Sequence, residues 1–182
     1  MWTFWRARVV VGAVGSGMMG PMSGLTHRLW MQHALEEARA AIEHEDVPVG
    51  AVVVRDGQQI ARAHNRREAD GDPTAHAEVL ALRAAAAVRG SWRLDGCTLY
   101  TTLEPCAMCA GAMVLARLPE LVYAAAEPNA GAVGSVYDIA RDERQNHGVA
   151  VTTGVEADEA GKLLRRFFRS RRVAGTTPAE GM

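Results

Sequence analysis

Apolar positions near the start of the chain recur every three to four residues, the spacing of a helix with one buried face. That face would carry Met31, Ala34, Leu35, Ala38, Ala41 and Ile42. Thr26 precedes this pattern and is of a residue type that caps helix N-termini. Pro48 and Gly50 follow it and disfavour further helix. We therefore predict a first helix that follows Thr26 and ends before Pro48.

The next stretch changes to the pattern of a β-hairpin. A β-branched run at 51–54 predicts a strand, and Asp56-Gly57 is typical of a tight turn into a return strand at 59–64. Further on, we predict a polar loop at 65–73, strands at 98–102, 121–125 and 149–152, and helices at 75–88, 105–117 and 157–173. Strands that alternate with helices after an opening hairpin predict a layered α/β domain.

The bulk composition is that of a single globular domain. The chain has 182 residues, of which 48% are hydrophobic and 23% charged, and its net charge is −1. This charge does not by itself indicate a nucleic-acid partner. We predict a domain at 25–173, a disordered tail at 174–182, and at 1–24 either a disordered extension or a misassigned start with Met22 as the alternative. No apolar run reaches the roughly 18 residues of a membrane span, so we expect no membrane partner.

Three cysteines indicate the redox compartment. Cys106 and Cys109 form a C-x-x-C pair, and Cys97 stands alone at the start of a predicted strand, where it would be a buried apolar residue. An odd number of cysteines without paired spacing argues against a disulfide framework. We therefore expect a reducing location, the cytoplasm.

The strongest chemical signal joins that cysteine pair to a histidine. His76, Cys106 and Cys109 supply three ligands, one fewer than a closed structural zinc site and the number found in catalytic sites that keep a position for water. Glu78 lies two residues from His76, where it can move the protons of that water. Bound zinc lowers the pKa of water from about 15.7 to about 7. Together the residues spell H-x-E…P-C-x-x-C, the signature of zinc-dependent nucleoside and nucleobase deaminases.

Each of these residues also has a simpler interpretation. The C-x-x-C alone could be a redox pair, and Glu78 alone could be an ordinary acidic residue that favours a helix N-terminus. A structural zinc site would need a fourth protein ligand. The remaining histidines are His27, His33, His44, His64 and His147. None of them lies in a paired zinc-finger spacing, so we favour the catalytic interpretation.

Longer motifs extend the pattern beyond the metal ligands. The segments 47–52, 65–66, 72–78, 102–112, 131–135, 146–147 and 167–169 together resemble those of the bacterial tRNA-specific adenosine deaminases, within the cytidine/deoxycytidylate deaminase superfamily. The resemblance covers roughly 25–173. It implies a three-layer α/β/α cytidine-deaminase-like sandwich with a five-stranded mixed sheet.

The resemblance also implies residue roles and an activity. His76, Cys106 and Cys109 would bind one Zn²⁺ per subunit, and Glu78 would shuttle protons. Asn65 would hydrogen-bond a flipped base, which the Ala77 backbone would help to orient. The family converts adenosine to inosine at the wobble position of a tRNA anticodon and works as a homodimer. We expect an anticodon stem-loop as partner, that of an arginine tRNA, and a second copy of the chain.

Further RNA contacts are implied for the last helix and for one loop. The helix is basic at 162, 165, 166, 169, 171 and 172, and its predicted buried stripe is Ala160, Leu163, Leu164 and Phe167. The resemblance places Phe168 and Arg172 against the anticodon loop, where aromatic and arginine side chains suit splayed bases and phosphates. The alternative is a solvated helix face. Glu127 replaces a common aspartate near the RNA, and its longer side chain could alter how the anticodon loop sits.

Two other functions remain open at this stage. A free guanine or cytosine deaminase would use the same zinc site and would not need the basic helix. A zinc-stabilised RNA-binding module without turnover would not need Glu78. We favour the tRNA adenosine deaminase because the longer motifs accompany both features.

Overall fold

The computed structural model describes residues 24–174, and the expectations for 1–23 and 175–182 lie outside the described residues. The helices are α1 (Gly24–Ala41), the one-turn α2 (Arg67–Asp70), α3 (Ala77–Arg89), α4 (Ala107–Leu115) and α5 (Ala157–Ala174), with a 3₁₀ turn at Ile42–His44. The strands are β1 (Gly50–Arg55), β2 (Gln58–His64), β3 (Cys97–Leu103), β4 (Glu120–Ala125) and β5 (Ala150–Thr153). Gly24 and Ala174, the first and last described residues, are both helical. No helix in residues 24–174 is long and apolar enough to cross a membrane.

The five strands form one mixed sheet in the order β2-β1-β3-β4-β5. β1 pairs antiparallel with both β2 and β3, whereas β3, β4 and β5 are parallel to one another. Asp56 and Gly57 both have positive φ, 50° and 71°, as the predicted tight turn between β1 and β2 requires. The sequence-based prediction of a five-stranded mixed sheet is confirmed.

Helices cover both faces of this sheet. Side chains of one face pack with α3 and α4, and include Ala51, Val53, Leu99, Leu121 and Tyr123. Side chains of the other face pack with α1 and α5, and include Val52, Val54, Tyr100, Val122 and Ala124. Because successive residues of a strand point to opposite faces, each central strand is apolar on both sides. The three-layer α/β/α arrangement is therefore confirmed.

The start of β1 lies directly against α1. A Cβ at Gly50 would stand 2.0 Å from the Ala34 carbonyl oxygen and 2.4 Å from the Ala38 nitrogen, so only glycine permits this approach. The segment before Gly50 is consequently held at the end of the sheet. There Val49 accepts a hydrogen bond from the Asn65 backbone at 3.0 Å, which places Asn65 at the same edge.

Several local predictions were wrong in detail. The first helix begins at Gly24, so Thr26 lies inside its first turn, and Ile42 is 41% exposed because it begins the 3₁₀ turn that follows α1. The polar loop at 65–73 contains α2. Pro105 lies before α4, since Cys106 is its extended N-cap, and α4 ends at Leu115. These differences arise at element ends, where capping and packing decide between nearly equivalent boundaries.

Candidate metal centre

Two helix N-termini meet at one edge of the sheet and carry the predicted ligands. His76 is the N-cap of α3, and Cys106 is the N-cap of α4, both in extended backbone. Their carbonyl groups accept the first helical hydrogen bonds, from Leu80 at 3.0 Å and Ala110 at 2.9 Å. Cys109 lies in the first turn of α4 and is fully buried. The N-cap geometry points both side chains away from the helix axis and into the same space.

The three ligand atoms have the separations of a tetrahedral zinc site. The His76 Nδ1 atom lies 3.8 Å from the Cys106 Sγ and 3.5 Å from the Cys109 Sγ, and the two sulfurs lie 3.7 Å apart. Zinc with Zn–S near 2.3 Å and Zn–N near 2.0 Å requires ligand atoms about 3.5–3.8 Å apart. This trio is the one group of three or more potential ligands found in residues 24–174. No fourth side chain joins it there, which argues against a closed structural site.

Electrostatics also favour a cation between the sulfurs. Hydrogen bonds with Cys109 and His76 lower the pKa of the Cys106 thiol to about 3. The hydrogen bond with Cys106, and then burial, raise the pKa of the Cys109 thiol. The hydrogen bond with Cys106 raises the pKa of His76. One thiolate therefore forms readily, and the second needs the positive charge that a divalent cation supplies.

Glu78 lies one residue inside α3 with its carboxyl group buried beside the ligands. Its side chain is 3% exposed, and its Oε2 atom has no hydrogen-bond partner within residues 24–174. Burial is the main cause that raises the pKa of this carboxyl. A buried carboxyl oxygen without a partner is costly unless a ligand or water completes its bonding. The position therefore fits a group that exchanges protons with a bound molecule.

Asn65 and Ala77 are joined by a direct hydrogen bond. The Ala77 backbone N–H donates to the Asn65 Oδ1 at 2.9 Å, and Asn65 is 6% exposed. This bond occupies the amide oxygen, so the Nδ2 group is the part of Asn65 that remains to donate to a ligand. The Ala77 N–H is likewise occupied, since it donates this bond. The predicted roles of both residues stay predictions.

Glu127 lies at the start of a loop beside the ligands. Its carboxylate accepts from the Asn129 backbone at 2.9 Å, so one of its oxygens closes its own turn. Downstream, Gly131 forms an isolated bridge with Cys106, and Ala132 donates to the Pro105 carbonyl at 2.8 Å. The ligands His76, Cys106 and Cys109 are called the metal cup below. The loop that begins at Glu127 is thus bonded to Cys106 of this cup and to Pro105, which follows β3. Whether Glu127 contacts RNA stays a prediction.

Sequence reasoning missed Glu104 as a residue of this region. It is 2% exposed and accepts hydrogen bonds from the backbones of Glu127, Val133 and Ser135 and from the Ser135 hydroxyl. Burial raises its pKa, but these bonds outweigh burial and hold the pKa of the carboxyl below its usual range. The available signal was the place of Glu104 in the sequence, directly after an apolar strand and before Pro105-Cys106. A glutamate buried at such a position needs hydrogen-bond partners, because ionised side chains are rarely buried without them.

Phe168 and Arg172 lie on α5, in the helix layer across the sheet from the ligands. Phe168 is 46% exposed, while Ala160 and Phe167 on the same helix are buried. Arg171 stacks over Phe167 at 5.3 Å and binds Glu45, whose carboxylate lies 3.6 Å away and whose carbonyl accepts a hydrogen bond. The predicted stripe is confirmed at Ala160 and Phe167, whereas Leu163 and Leu164 are half-buried. Arg171 thus fastens α5 to the turn after α1.

Sequence comparison with known proteins finds zinc-binding deaminases, in agreement with the ligand set. The model of the cytidine and deoxycytidylate deaminase zinc-binding region matches residues 25–125. The tRNA-specific adenosine deaminase of Bacillus subtilis (strain 168) is 47% identical over 144 residues, which are 79% of this chain and 89% of that protein. Its counterpart in Agrobacterium fabrum is 44% identical over 152 residues, or 84% of this chain and 99% of that protein.

Solved structures of two kinds of deaminase resemble this chain. A structure from work on A-to-I editing by tRNA:A34 deaminases is 43% identical with a TM-score of 0.72, covering 75% of this chain and 99% of that one. A guanine deaminase from Nitrosomonas europaea is 31% identical with a TM-score of 0.65, covering 85% of this chain and 96% of that one. Both share the fold, and the first is closer in sequence.

Proposed function

Because the chain belongs to the zinc-binding cytidine and deoxycytidylate deaminase family, we propose that it hydrolyses adenosine to inosine at the wobble position of a tRNA anticodon. The observation that carries this proposal is the three-ligand cup of His76, Cys106 and Cys109 with the buried Glu78 carboxyl beside it. Relatives 43–47% identical that are tRNA-specific adenosine deaminases support adenosine in RNA as the substrate.

The ligand set fits zinc by its chemistry and spacing. Two sulfurs and one imidazole nitrogen are donors that zinc prefers, and three protein ligands leave a position open. His76, Cys106 and Cys109 would hold one Zn²⁺ per subunit. When bound, zinc supplies the Lewis acidity that makes water a nucleophile at neutral pH.

Glu78 is the proton carrier in this reaction. It takes a proton from the attacking water as the bond from oxygen to C6 forms, and passes it to the ring nitrogen N1. Glu78 then carries the remaining proton, that of the new C6 hydroxyl, to the exocyclic amine; the C6–N bond breaks, the C6 carbonyl of inosine forms, and ammonia leaves. Adenosine and water are consumed, and inosine and ammonia are formed. Burial raises the pKa of this carboxyl, which favours uptake of a proton from the attacking water.

Asn65 and Ala77 orient the base for that attack. The Nδ2 group of Asn65 donates to an acceptor of the purine ring, while the bond from Ala77 fixes the plane of the amide. The base must leave its stack to reach this buried position, and an anticodon loop with unstacked bases allows this.

The exposed basic and aromatic side chains of α5 favour an RNA substrate over a free base. Phe168 and Arg172 lie on the opposite side of the sheet from the cup, so a single base at the cup cannot touch them. An anticodon stem-loop is large enough to reach round the edge of the sheet, with Phe168 stacking on a base and Arg172 close to phosphate. Glu127 stands on the loop beside the cup, where it would meet the nucleotides next to the target. An arginine tRNA is the proposed source of this stem-loop.

A second copy of the chain is the proposed partner. The outward side of α4 carries Met108, Gly111, Ala112 and Leu115, and α4 contains no charged residue. Met108 and Leu115 are 37% and 75% exposed, an apolar face of the kind that another subunit covers. Leu115→Glu is expected to make the protein monomeric in analytical ultracentrifugation. A dimer of unchanged affinity would exclude this face. The cytoplasm is the proposed location, because thiolate ligands require reducing conditions.

An RNA assay tests the activity. The purified protein is incubated with an arginine-tRNA anticodon stem-loop that carries wobble adenosine, and nucleosides are separated after digestion. Inosine at that position, absent from a matched loop with adenosine moved by one nucleotide, is the expected result. Ammonia released from guanine or cytosine without inosine in the RNA would identify a free-base deaminase instead.

A further inference from the structure

The loop at 127–135 borders the metal cup, although it has no regular secondary structure of its own. The described structure assigns residues 126–135 to turns, isolated bridges and coil. Such a segment needs side chains to satisfy its backbone groups and fix its path. One side chain, that of Glu104, accepts four hydrogen bonds from it.

Both carboxylate oxygens of Glu104 are used twice. The Oε1 atom accepts from the Val133 N–H at 3.1 Å and the Ser135 N–H at 3.0 Å. The Oε2 atom accepts from the Glu127 N–H at 3.0 Å and from the Ser135 hydroxyl. The donors lie at both ends of the loop, so this single carboxylate closes it.

The loop also passes directly over the carboxylate. A Cβ at Gly131 would lie 2.5 Å from the Glu104 Cδ and Oε2 atoms, which leaves no room for any other residue. Gly131 in turn bridges Cys106. The backbone of Glu104 is fixed as well, because its N–H donates to the Ala125 carbonyl at 2.8 Å, at the end of the β3–β4 ladder. Glu104 is therefore bonded to the sheet through its backbone and to the loop through its side chain, so it holds the loop in place relative to the sheet.

We propose that Glu104 is a positioning residue for substrate binding, which holds the 127–135 loop as one wall of the site. This inference rests on the proposed RNA deamination, since it assigns that loop to the substrate. Glu104 does not touch the reacting atoms. It acts through the loop, whose first residue is Glu127 and whose middle lies against a metal ligand.

The variant Glu104→Gln tests this with little change of shape. A glutamine has one oxygen and one NH₂ group, so it cannot accept all four bonds. The Ser135 hydroxyl can rotate to accept from the NH₂ group. The Glu127 N–H, or the Val133 and Ser135 N–H groups if the amide is reversed, then faces a donor. The loop is expected to loosen at one end while the fold remains.

The matched control is Glu120→Gln. Glu120 is half-buried at the start of β4 and accepts a hydrogen bond from the Thr98 hydroxyl at 2.7 Å. It lies on the same sheet as Glu104, but at the opposite end of the parallel strands β3 and β4. A glutamine oxygen can still accept that one bond. The control removes the same charge, and it is expected to leave substrate binding unchanged.

The measurements distinguish a change in the 127–135 loop from a change in metal binding and from a loss of overall stability. For Glu104→Gln we expect amide hydrogen exchange at 127–135 to rise at least tenfold, KM for the stem-loop to rise about tenfold, and kcat and zinc content to stay within about threefold. Faster exchange with unchanged KM would overturn the proposal, as would a loss of zinc with a fall in kcat at unchanged KM. Wild-type protein that makes no inosine would instead refute the proposed function, and the exchange data would still report on the loop.

Discussion

The metal cup and the basic helix α5 differ in their burial and in the range of the interactions that they use. The cup is buried and short-ranged: three ligand atoms lie within 3.8 Å of one another on two helix N-termini. The outer side of α5 is exposed and carries basic residues at 162, 165, 166 and 169. Chemistry in the cup depends on positions fixed to a few tenths of an ångström. Binding along α5 depends on charge and stacking, which tolerate movement and are screened by salt.

Removing a ligand from the cup should have the largest effect. Cys109→Ser replaces a buried thiolate ligand with a weak neutral donor, so the protein is expected to lose its bound zinc and all measurable deamination. Metal content by mass spectrometry and inosine yield check this. Cys97→Ala is the matched control, because Cys97 is also fully buried but belongs to the hydrophobic core, and it should keep its zinc. Full activity in Cys109→Ser would exclude the trio as the metal site.

Removing the proton carrier should separate chemistry from metal binding. Glu78→Gln keeps the shape but cannot take up a proton, so kcat is expected to fall by about 10²–10⁴ while zinc content and RNA affinity hold. Single-turnover kinetics with excess enzyme measure this fall. Glu143→Gln, on an exposed loop, serves as the control for loss of charge. A kcat within about threefold of wild type would remove Glu78 from the proposed mechanism.

Changes on α5 should be smaller and of a different kind. Phe168→Ala removes an exposed aromatic ring, and a lost base stack of about 1–3 kcal/mol corresponds to a roughly 5- to 150-fold weaker stem-loop affinity. Arg172→Ala should weaken binding and reduce the slope of log affinity against log salt by about 0.7. Fluorescence anisotropy across a salt series measures both. Neither variant should change kcat with saturating RNA.

Arg171 offers a contrast within that helix. Its guanidinium is committed to Glu45 and to the Phe167 ring, so Arg171→Ala should loosen the docking of α5 as well as weaken binding. We expect a fall in Tm of a few degrees for Arg171→Ala and a smaller one for Arg169→Ala, which removes an exposed arginine of the same helix. Equal Tm values with equal salt slopes would show that the two arginines act alike.

The sequence predicted the cup better than its surroundings. His76, Glu78, Cys106 and Cys109 form short local motifs whose chemistry allows few alternatives, and the structure brings the three ligands together. Cys97 was predicted as a buried strand residue and is fully buried at the first position of β3. The predicted N-cap at Thr26 was wrong, because cap preferences are weak and several residue types satisfy them.

Glu104 shows what local patterns omit. Its four donors come from residues 23 to 31 positions away along the chain, and three of them are backbone N–H groups; the fourth is the Ser135 hydroxyl. The bond between Asn65 and Ala77, which decides which atoms remain for a base, also joins residues 12 positions apart, across α2. Such bonds use backbone groups, which every residue carries, so the sequence does not single them out.

By itself, the sequence determined the alternation of strands and helices, the three metal ligands and the acid beside them, because periodicity and ligand chemistry are local properties. Only the tertiary structure decided that the two helix N-termini meet at one sheet edge, that α5 lies across the sheet from them, and that one buried carboxylate closes the loop between. These arrangements depend on strand order and on backbone hydrogen bonds between distant segments. Their energies arise when the chain has folded, and no short stretch of residues carries them.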